Sequence, residues 1–369
     1  MTKDSRNESR APLRPDSPEA GEEDGSGKVS RRDLLRAGAV GAVGLATGGG
    51  ALGFQQARRD EAATEGRIRG SMDGHDHLHS MGSTGDVDTS AFDPMAYLTD
   101  FDGGRVSTLA GGQTLREYDF VARDVDVEVA PGVYFPAWTY NGQVPGPTIR
   151  CTEGDRIRVN FSNAGSHPHT IHFHGIHAAN MDGVFEVVNP GDTFVYEFDA
   201  EPAGVHLYHC HSVPLKRHIH KGLYGTFIVD PADRELEPAR EMVMVMNGFD
   251  TNFDGDNEIY AVNTVAFHYQ KHPIPVRLGE LVRIYLVNMT EFDFVNSFHL
   301  HGNFFNYWPT GTRPEQYQYT DTVMLCQGER GILEFTYDHP GQFMFHAHQS
   351  EFAELGWAGI FDVREAPRV

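Results

Sequence analysis

From about Phe101 to the C-terminus the chain is a succession of short runs in which apolar and polar residues alternate: RIRVNFSN, TFVYEFDA, GTFIVD, VRIYLVN and ILEFTY. Side chains alternate faces along a strand, so each run predicts a β-strand with one buried face. Gly, Pro and Asn punctuate the runs, and no long stretch of helical period competes with them. The pattern predicts an all-β chain built as sandwiches or barrels.

The region also repeats itself. GDRIRVNFSN (154–163) precedes HTIHFHG (169–175), and GELVRIYLVN (279–288) precedes NSFHLHG (296–302). Further on, HLYHCH and its exit KGLYGTFIVD answer QFMFHAH and GWAGIFDV. Two copies of one β domain account for the length, with the first at 99–235, the second at 236–369 and the boundary near Pro231–Glu241. Residues 1–58 and 59–98 then read as a disordered N-terminus with a targeting segment, and a linker.

Apolar residues make up 40% and charged residues 22%, which suits a buried core. Acidic residues number 52 against 30 Lys and Arg, a net charge of -22. That field repels phosphate backbones and anionic lipid, so nucleic acid and membrane surfaces are poor partners. Three Cys exclude a disulfide-dense scaffold, and Cys151 and Cys326 are expected to be buried free thiols. The outlier is His, with 20 residues, mostly clustered.

Four of the clusters are HxH pairs: His172/His174, His209/His211, His299/His301 and His346/His348. On a strand, residues i and i+2 share a face, so each pair presents two imidazoles together. Core packing explains one such pair but not two in each repeat, because a buried His needs a hydrogen-bond partner rather than a second His. Eight imidazoles suit several metal ions. Cys210 stands between His209 and His211, so its sulfur faces the other way and needs partners of its own. His169 and His218 are available, with His220 as the competitor on the same loop. Two His and one Cys form the donor set of a blue-copper electron-transfer site.

These motifs, HPHTIHFHG, HCH…HIHKGL, HLHG and HAH, resemble the signatures of multicopper oxidases over nearly all of residues 100–369. The nearest resemblance is to the two-domain branch, related in architecture to copper nitrite reductases. It implies two tandem cupredoxin-like Greek-key sandwiches and copper as cofactor: one type-1 ion, one type-2 ion and a type-3 pair per subunit. His169, Cys210 and His218 would be the type-1 ligands, with Leu223 at the axial position, where it has no lone pair to offer. His172 and His299 would bind the type-2 ion, and His174, His209, His211, His301, His346 and His348 the type-3 pair. In the second half Asn296, Ala347, Phe352 and Trp357 replace the type-1 set, so only the first half would hold that ion. Each half holds only half of the trinuclear cage, and the resemblance implies a homotrimer with cages between subunits.

The resemblance also implies the reaction. A small reductant would reach an exposed edge near His218, and dioxygen would become water at the cage. Asp182, and less directly Glu351, are candidates for supplying protons there. Nitrite reduction is the alternative, although such enzymes carry Asp where His172 stands. A copper-binding or electron-transfer protein without turnover is a third.

Three segments stand apart. Arg31-Arg32, Leu34-Leu35 and the small-residue run within Ser30–Phe54 resemble a twin-arginine export signal, which implies a periplasmic, surface or extracellular protein; a membrane anchor is the alternative. His75, His77 and His79 lie between Met72 and Met81, a donor set that suits weak copper capture or a merely polar linker. FDTNFDGDNE (249–258) resembles a calcium loop through Asp250, Asn252, Asp254, Gly255 and Asp256, but its twelfth position is Ala261, so an acidic turn is the expectation.

Overall fold

In the computed structural model, which describes residues 85–365, the alternating runs pair into four sheets. The twin-arginine segment and His75, His77 and His79 lie outside the described residues. One sandwich is formed between Phe101 and Asp230. Its outer sheet runs Arg105–Thr108, Thr114–Ala130, Arg156–Asn163, Thr193–Asp199, with Val133–Tyr140 folded back on Thr114–Ala130. Its seam sheet runs Phe101–Asp102, Thr148–Thr152, Tyr224–Asp230, Gly204–His209, His172–Phe173.

The second sandwich repeats the plan between Arg240 and Arg364. Its seam sheet runs Ile259–Val262, Arg240–Phe249, Val282–Asn288, Arg330–Phe335, Phe305–Pro309, Gln318–Thr320. Its far sheet runs Ile274–Arg277, Ala358–Arg364, Gly341–His346, Asn296–Leu300, Thr322–Leu325.

The two seam sheets pack on each other. Met242, Met244 and Met246 point into the second domain's own core, while Val243 and Val245 between them meet Val205, Leu207, Tyr224 and Ile228 of the first. Ile284 and Leu286 face that core as well, and Tyr285 and Val287 face the seam. The run VRIYLVN is therefore buried on both faces, not on one as its alternation suggested. Arg283 fits this environment by pairing with Glu241 at 3.2 Å and Glu334 at 2.6 Å. The Val205 N–H also donates across the seam to the Thr310 carbonyl at 2.8 Å.

This layering sets the direction of the histidines. Phe298, Leu300 and Phe345 of the far sheet point into the second core. His299 and His346 lie on the opposite face, away from the first domain. In the first domain Tyr208 and Cys210 point into that domain's own core, so His209 lies on the same face as Val205 and Leu207. Both histidine faces thus look along the stack in the same sense.

Candidate metal centres

His169 is fixed by a two-way backbone bridge to Val188, at 3.0 Å each way. Cys210 follows strand Gly204–His209 and donates its N–H to the Leu223 carbonyl at 2.9 Å. His218 projects from the short helix Leu215–His220. The three meet in the first domain's core. Cys210 Sγ is 3.2 Å from His218 Nδ1 and 4.0 Å from His169 Nδ1, and the two nitrogens are 3.2 Å apart. All three residues are buried. Burial holds the imidazoles neutral, with the His169 pKa lowered to about 3 and that of His218 to about 4. The same burial pushes the Cys210 thiol up, against the pull of the Thr170 N–H, which donates to Sγ at 3.3 Å. Two neutral imidazoles and a thiol whose ionisation needs a cation fit a copper ion.

His220 does not compete. Its Nε2 accepts from the Asp250 N–H at 3.2 Å, and its ring packs on Phe135, Phe253 and Phe292. Leu223 is fully buried in the same apolar cluster as Cys210. His218 itself is buried, so any exposed edge near it is formed by its neighbours. It is 3% exposed, and Trp138 covers it at a ring separation of 4.8 Å. Arg217 lies over Trp138 in turn, its guanidinium 5.1 Å from the ring.

The eight paired histidines form two groups of the same design. His172 sits opposite His209 in register, and His299 opposite His346. The His172 ring lies within 5.5 Å of those of His174, His209 and His211. The His299 ring lies within 5.4 Å of those of His301, His346 and His348. The second His of each pair falls just past its strand's end, yet alternation persists.

Four of the rings are oriented by backbone carbonyls. Nδ1 of His172, His209, His299 and His346 donates to the carbonyls of Asp182, Cys210, Asp321 and Ala347, at 2.7, 3.0, 2.9 and 2.6 Å. Each therefore presents a bare Nε2, the tautomer a metal needs. Nε2 atoms converge at 3.2 Å for His174 and His209 and at 2.8 Å for His301 and His346. Burial lowers the His174 pKa to about 2 and the His209 pKa to about 4, so these two imidazoles are neutral and able to ligate at neutral pH. In the second group His301 and His348 are exposed. Among the described residues, no metal-competent group joins the two domains' histidines.

Asp182 lies where the sequence placed it. Its Oδ1 is 3.2 Å from His172 Nδ1 and 3.8 Å from His177 Nε2. The turn that carries it packs against Ile171, just before strand His172–Phe173: Gly183 has φ +71, and a Cβ there would collide with the Ile171 carbonyl. Glu351 is exposed in the first turn of helix Ser350–Glu354. Two supporting pairs escaped the sequence reading. Asp321 holds His299 as Asp182 holds His172, through a main-chain carbonyl. Thr170 and Ser297 Oγ accept from the His211 and His348 N–H groups, at 2.9 and 2.7 Å. The signal available was their shared offset, two residues before each HxHG.

The second domain's counterpart of the thiolate site is filled. The Ala347 N–H reaches the Trp357 carbonyl, and the Trp357 N–H that of Phe352, as Cys210 reaches Leu223 and Leu223 reaches His218. Asn296 accepts from Trp357 Nε1 at 3.0 Å and donates to Thr290 Oγ1 at 2.8 Å. Nothing there can hold copper.

Elsewhere Asp250, Asp254 and Glu258 converge, but their oxygens cap the backbone of their own turn: Asp250 accepts from the Asp254 and Gly255 N–H groups, and Glu258 from Thr251. The segment is an acidic connection between strands Arg240–Phe249 and Ile259–Val262. Cys151 is buried as expected, but Cys326 is exposed. It continues the alternation Val323 in, Met324 out, Leu325 in, which puts it on the outer face.

Two family models described as multicopper oxidase match the chain, over residues 122–234 and 235–367. The chain belongs to the multicopper oxidase family. Its fold is cupredoxin-like, and its buried Cys–His and clustered His donor sets are of the kind that suit copper. A crystal structure of a multicopper oxidase is 56% identical, with a TM-score of 0.73, over 74% of this chain and 98% of the other. A copper nitrite reductase from Nitrosomonas europaea is 28% identical, with a TM-score of 0.63, over 68% of this chain and 94% of its own. The copper-containing nitrite reductase of Neisseria meningitidis is 30% identical over 59% of this chain and 61% of its own length. A probable nitrite reductase-hydroxylamine oxidoreductase fusion protein of Kuenenia stuttgartiensis is matched over only 33% of its length.

Proposed function

We propose that this multicopper oxidase couples one-electron oxidation of a small reductant to four-electron reduction of dioxygen to water. The reductant is a phenol, an aromatic amine or a metal ion. The observation that carries the reading is the pair of four-imidazole groups, one in each domain, with a separate buried N₂S site one residue from the first. A lone catalytic copper, as nitrite reduction requires, would leave most of these imidazoles without a task.

In this reading His169, Cys210 and His218 hold the type-1 ion beside Leu223. His172 and His299 hold the type-2 ion, and the other six cage histidines the type-3 pair. Bound copper supplies the one-electron chemistry that the side chains here lack. Cys210 is bonded through the backbone to His209 and His211, so the chain itself links the reductant side to the oxygen side. Trp138 keeps water from His218, and the reductant docks outside it. Asp182, 3.2 Å from His172 Nδ1, is the carboxylate placed to relay protons in the water-forming half of the cycle.

Each cage is completed between subunits. The far-sheet imidazoles face away from their own chain's first domain, so the other half of their cage comes from a neighbouring subunit, and a heterologous contact of this kind makes a ring where its rotation closes. The ring of three rests on the family resemblance. Export by the twin-arginine route rests on the Arg31-Arg32 segment.

Copper content and oxygen stoichiometry test the proposal. The oxidase should hold about four coppers per chain and oxidise about four one-electron donors per dioxygen consumed. About two coppers per chain, with nitrite consumed in place of oxygen, would establish the reductase instead.

A further inference from the structure

The helix that carries His218 also walls a pocket. Helix Leu215–His220 and the residue after it present Lys216, Arg217, His220 and Lys221 to a cavity of about 600 Å³, faced by Phe253 and Phe292 of the second domain. The His220 ring packs edge-on to both phenyl rings, with centroids 6.1 Å from Phe253 and 4.7 Å from Phe292. Both phenylalanines have a left-handed backbone, with φ +62 and +73. A bulky residue holds that conformation only where its surroundings impose it, and such strain gathers at ligand-binding sites. The cations on the facing wall rest on ring faces. Lys216 Nζ lies 4.2 Å from the Phe292 ring, and Lys221 Nζ 4.9 Å from that of Phe253. Among the described residues no ion pair joins Lys216, Arg217 or Lys221 to a carboxylate. The two acids that reach the pocket are spent on their own turn. Asp250 accepts from the Asp254 and Gly255 N–H groups at 3.1 and 2.8 Å, and Asp254 from the Asp256 N–H at 3.1 Å. A chain of net charge -22 therefore keeps a cluster of unpaired cations beside two aromatic rings.

We propose that this pocket binds the reductant, and that the reductant is a phenol carrying a carboxylate. Its ring lies against Phe253 and Phe292, and its carboxylate meets the cations of Lys216, Arg217 and Lys221. The inference rests on the oxidase reading above and narrows its substrate. The pocket wall and the type-1 ligands are joined through Arg217 and Trp138: the guanidinium lies 5.1 Å from the indole, and the indole 4.8 Å from the His218 ring. The bound phenol loses one electron, to type-1 copper(II), and one proton, to solvent, and leaves as a phenoxyl radical with its carboxylate unchanged.

The test takes the copper-loaded full-length protein and begins with a probe that is not oxidised. Benzoate, with benzamide as its neutral counterpart, is titrated by calorimetry. Benzoate should bind about tenfold more tightly than benzamide. Lys216→Glu changes an exposed side chain and should weaken benzoate about tenfold or more. Phe253→Leu, also at an exposed position, should weaken both probes about threefold. The second arm compares syringate with its methyl ester as reductants under oxygen. The acid should show a KM about tenfold lower, and Lys216→Glu should erase that preference. Benzoate held no more tightly than benzamide, or untouched by Lys216→Glu, would overturn the pocket. A preference for the acid that survives Lys216→Glu would overturn its part in binding the reductant. Tight benzoate binding with no oxygen uptake on either phenol would leave the pocket as an aromatic-acid site and sink the oxidase reading instead.

Discussion

The direction of the two histidine faces makes the inter-subunit cage testable by complementation. Within one chain the second domain's seam sheet stands between the first domain and the far sheet. Packed sheets are about 10 Å apart, so far-sheet imidazoles cannot reach back through their own domain. Consider one chain with His174→Ala and His209→Ala, and another with His301→Ala and His346→Ala. These remove the imidazoles whose Nε2 atoms converge at 3.2 and 2.8 Å. Either chain alone builds rings in which every cage is defective.

A ring of three containing both chains behaves differently. Passing round it, the chain type changes once in each sense. One of those two junctions joins an intact first domain to an intact second domain. Co-expressed with different affinity tags and purified through both, such rings should show about a third of wild-type oxygen uptake. A cage built within one chain would give none, because each chain carries its own defect. Inactive dual-tagged rings with wild-type secondary structure would therefore refute the reasoning, and so would a fully active monomer.

Cys210→Ser should abolish the intense visible absorption of a copper–thiolate bond and lower the copper content by one per chain, with the cage coppers retained; a variant that keeps its colour would displace the assignment. Asp182→Asn leaves the backbone carbonyl that orients His172, so copper content should not change. Anaerobic bleaching should run at the wild-type rate while reoxidation by air slows about 100-fold, and equal reoxidation would reduce Asp182 to a turn residue. His206 is buried with its Nε2 donating to the Pro202 carbonyl at 2.8 Å, and burial lowers its pKa to about 4. The unfolded chain takes up this proton first, at about pH 6.5, so folded stability is full above that pH and falls as pH drops to about 4, by about 3 kcal/mol. His206→Leu should flatten that limb in urea melts at pH 7 and pH 4, and an unaltered pH dependence would remove His206 as its cause.

Much of the site was legible because strands have a period of two. The spacing i, i+2 put each HxH pair on one face and turned Cys210 inward, and the repeat exposed the second set. The partners of the imidazoles were harder to read. Asp321 serves His299 through its main-chain carbonyl, from a point 22 residues away in sequence, and a carbonyl has no residue type to betray it. The cover over His218 depends on Trp138 and Arg217 from different elements. The seam between domains turned VRIYLVN from a half-buried strand into a fully buried one, because alternation reports one face and cannot see what covers the other. Cys326 was misplaced for the opposite reason: the tendency of Cys to be buried was allowed to outweigh the alternation that ran straight through it.

The filled counterpart in the second domain carries a last prediction. A thiol introduced by Ala347→Cys would stand where Cys210 stands in the first domain. Its neighbours are wrong in three ways. Asn296 is committed to Trp357 Nε1 and Thr290; Phe352, stacked on Tyr260 at 4.0 Å, stands where His218 would offer an imidazole; and the fully buried Trp357 stands at the place of Leu223. A buried thiol without a cation stays protonated, as burial already drives the Cys210 thiol upward even with two imidazoles beside it. Ala347 is fully buried, so the extra sulfur should cost about 1–3 kcal/mol of overpacking. The variant should therefore be less stable in urea, hold the wild-type number of coppers and show the wild-type visible spectrum. A second absorption band, or an added copper that disappears when the introduced thiol is alkylated, would mean that the thiolate alone recruits the ion and that the surrounding imidazoles of the first domain are secondary.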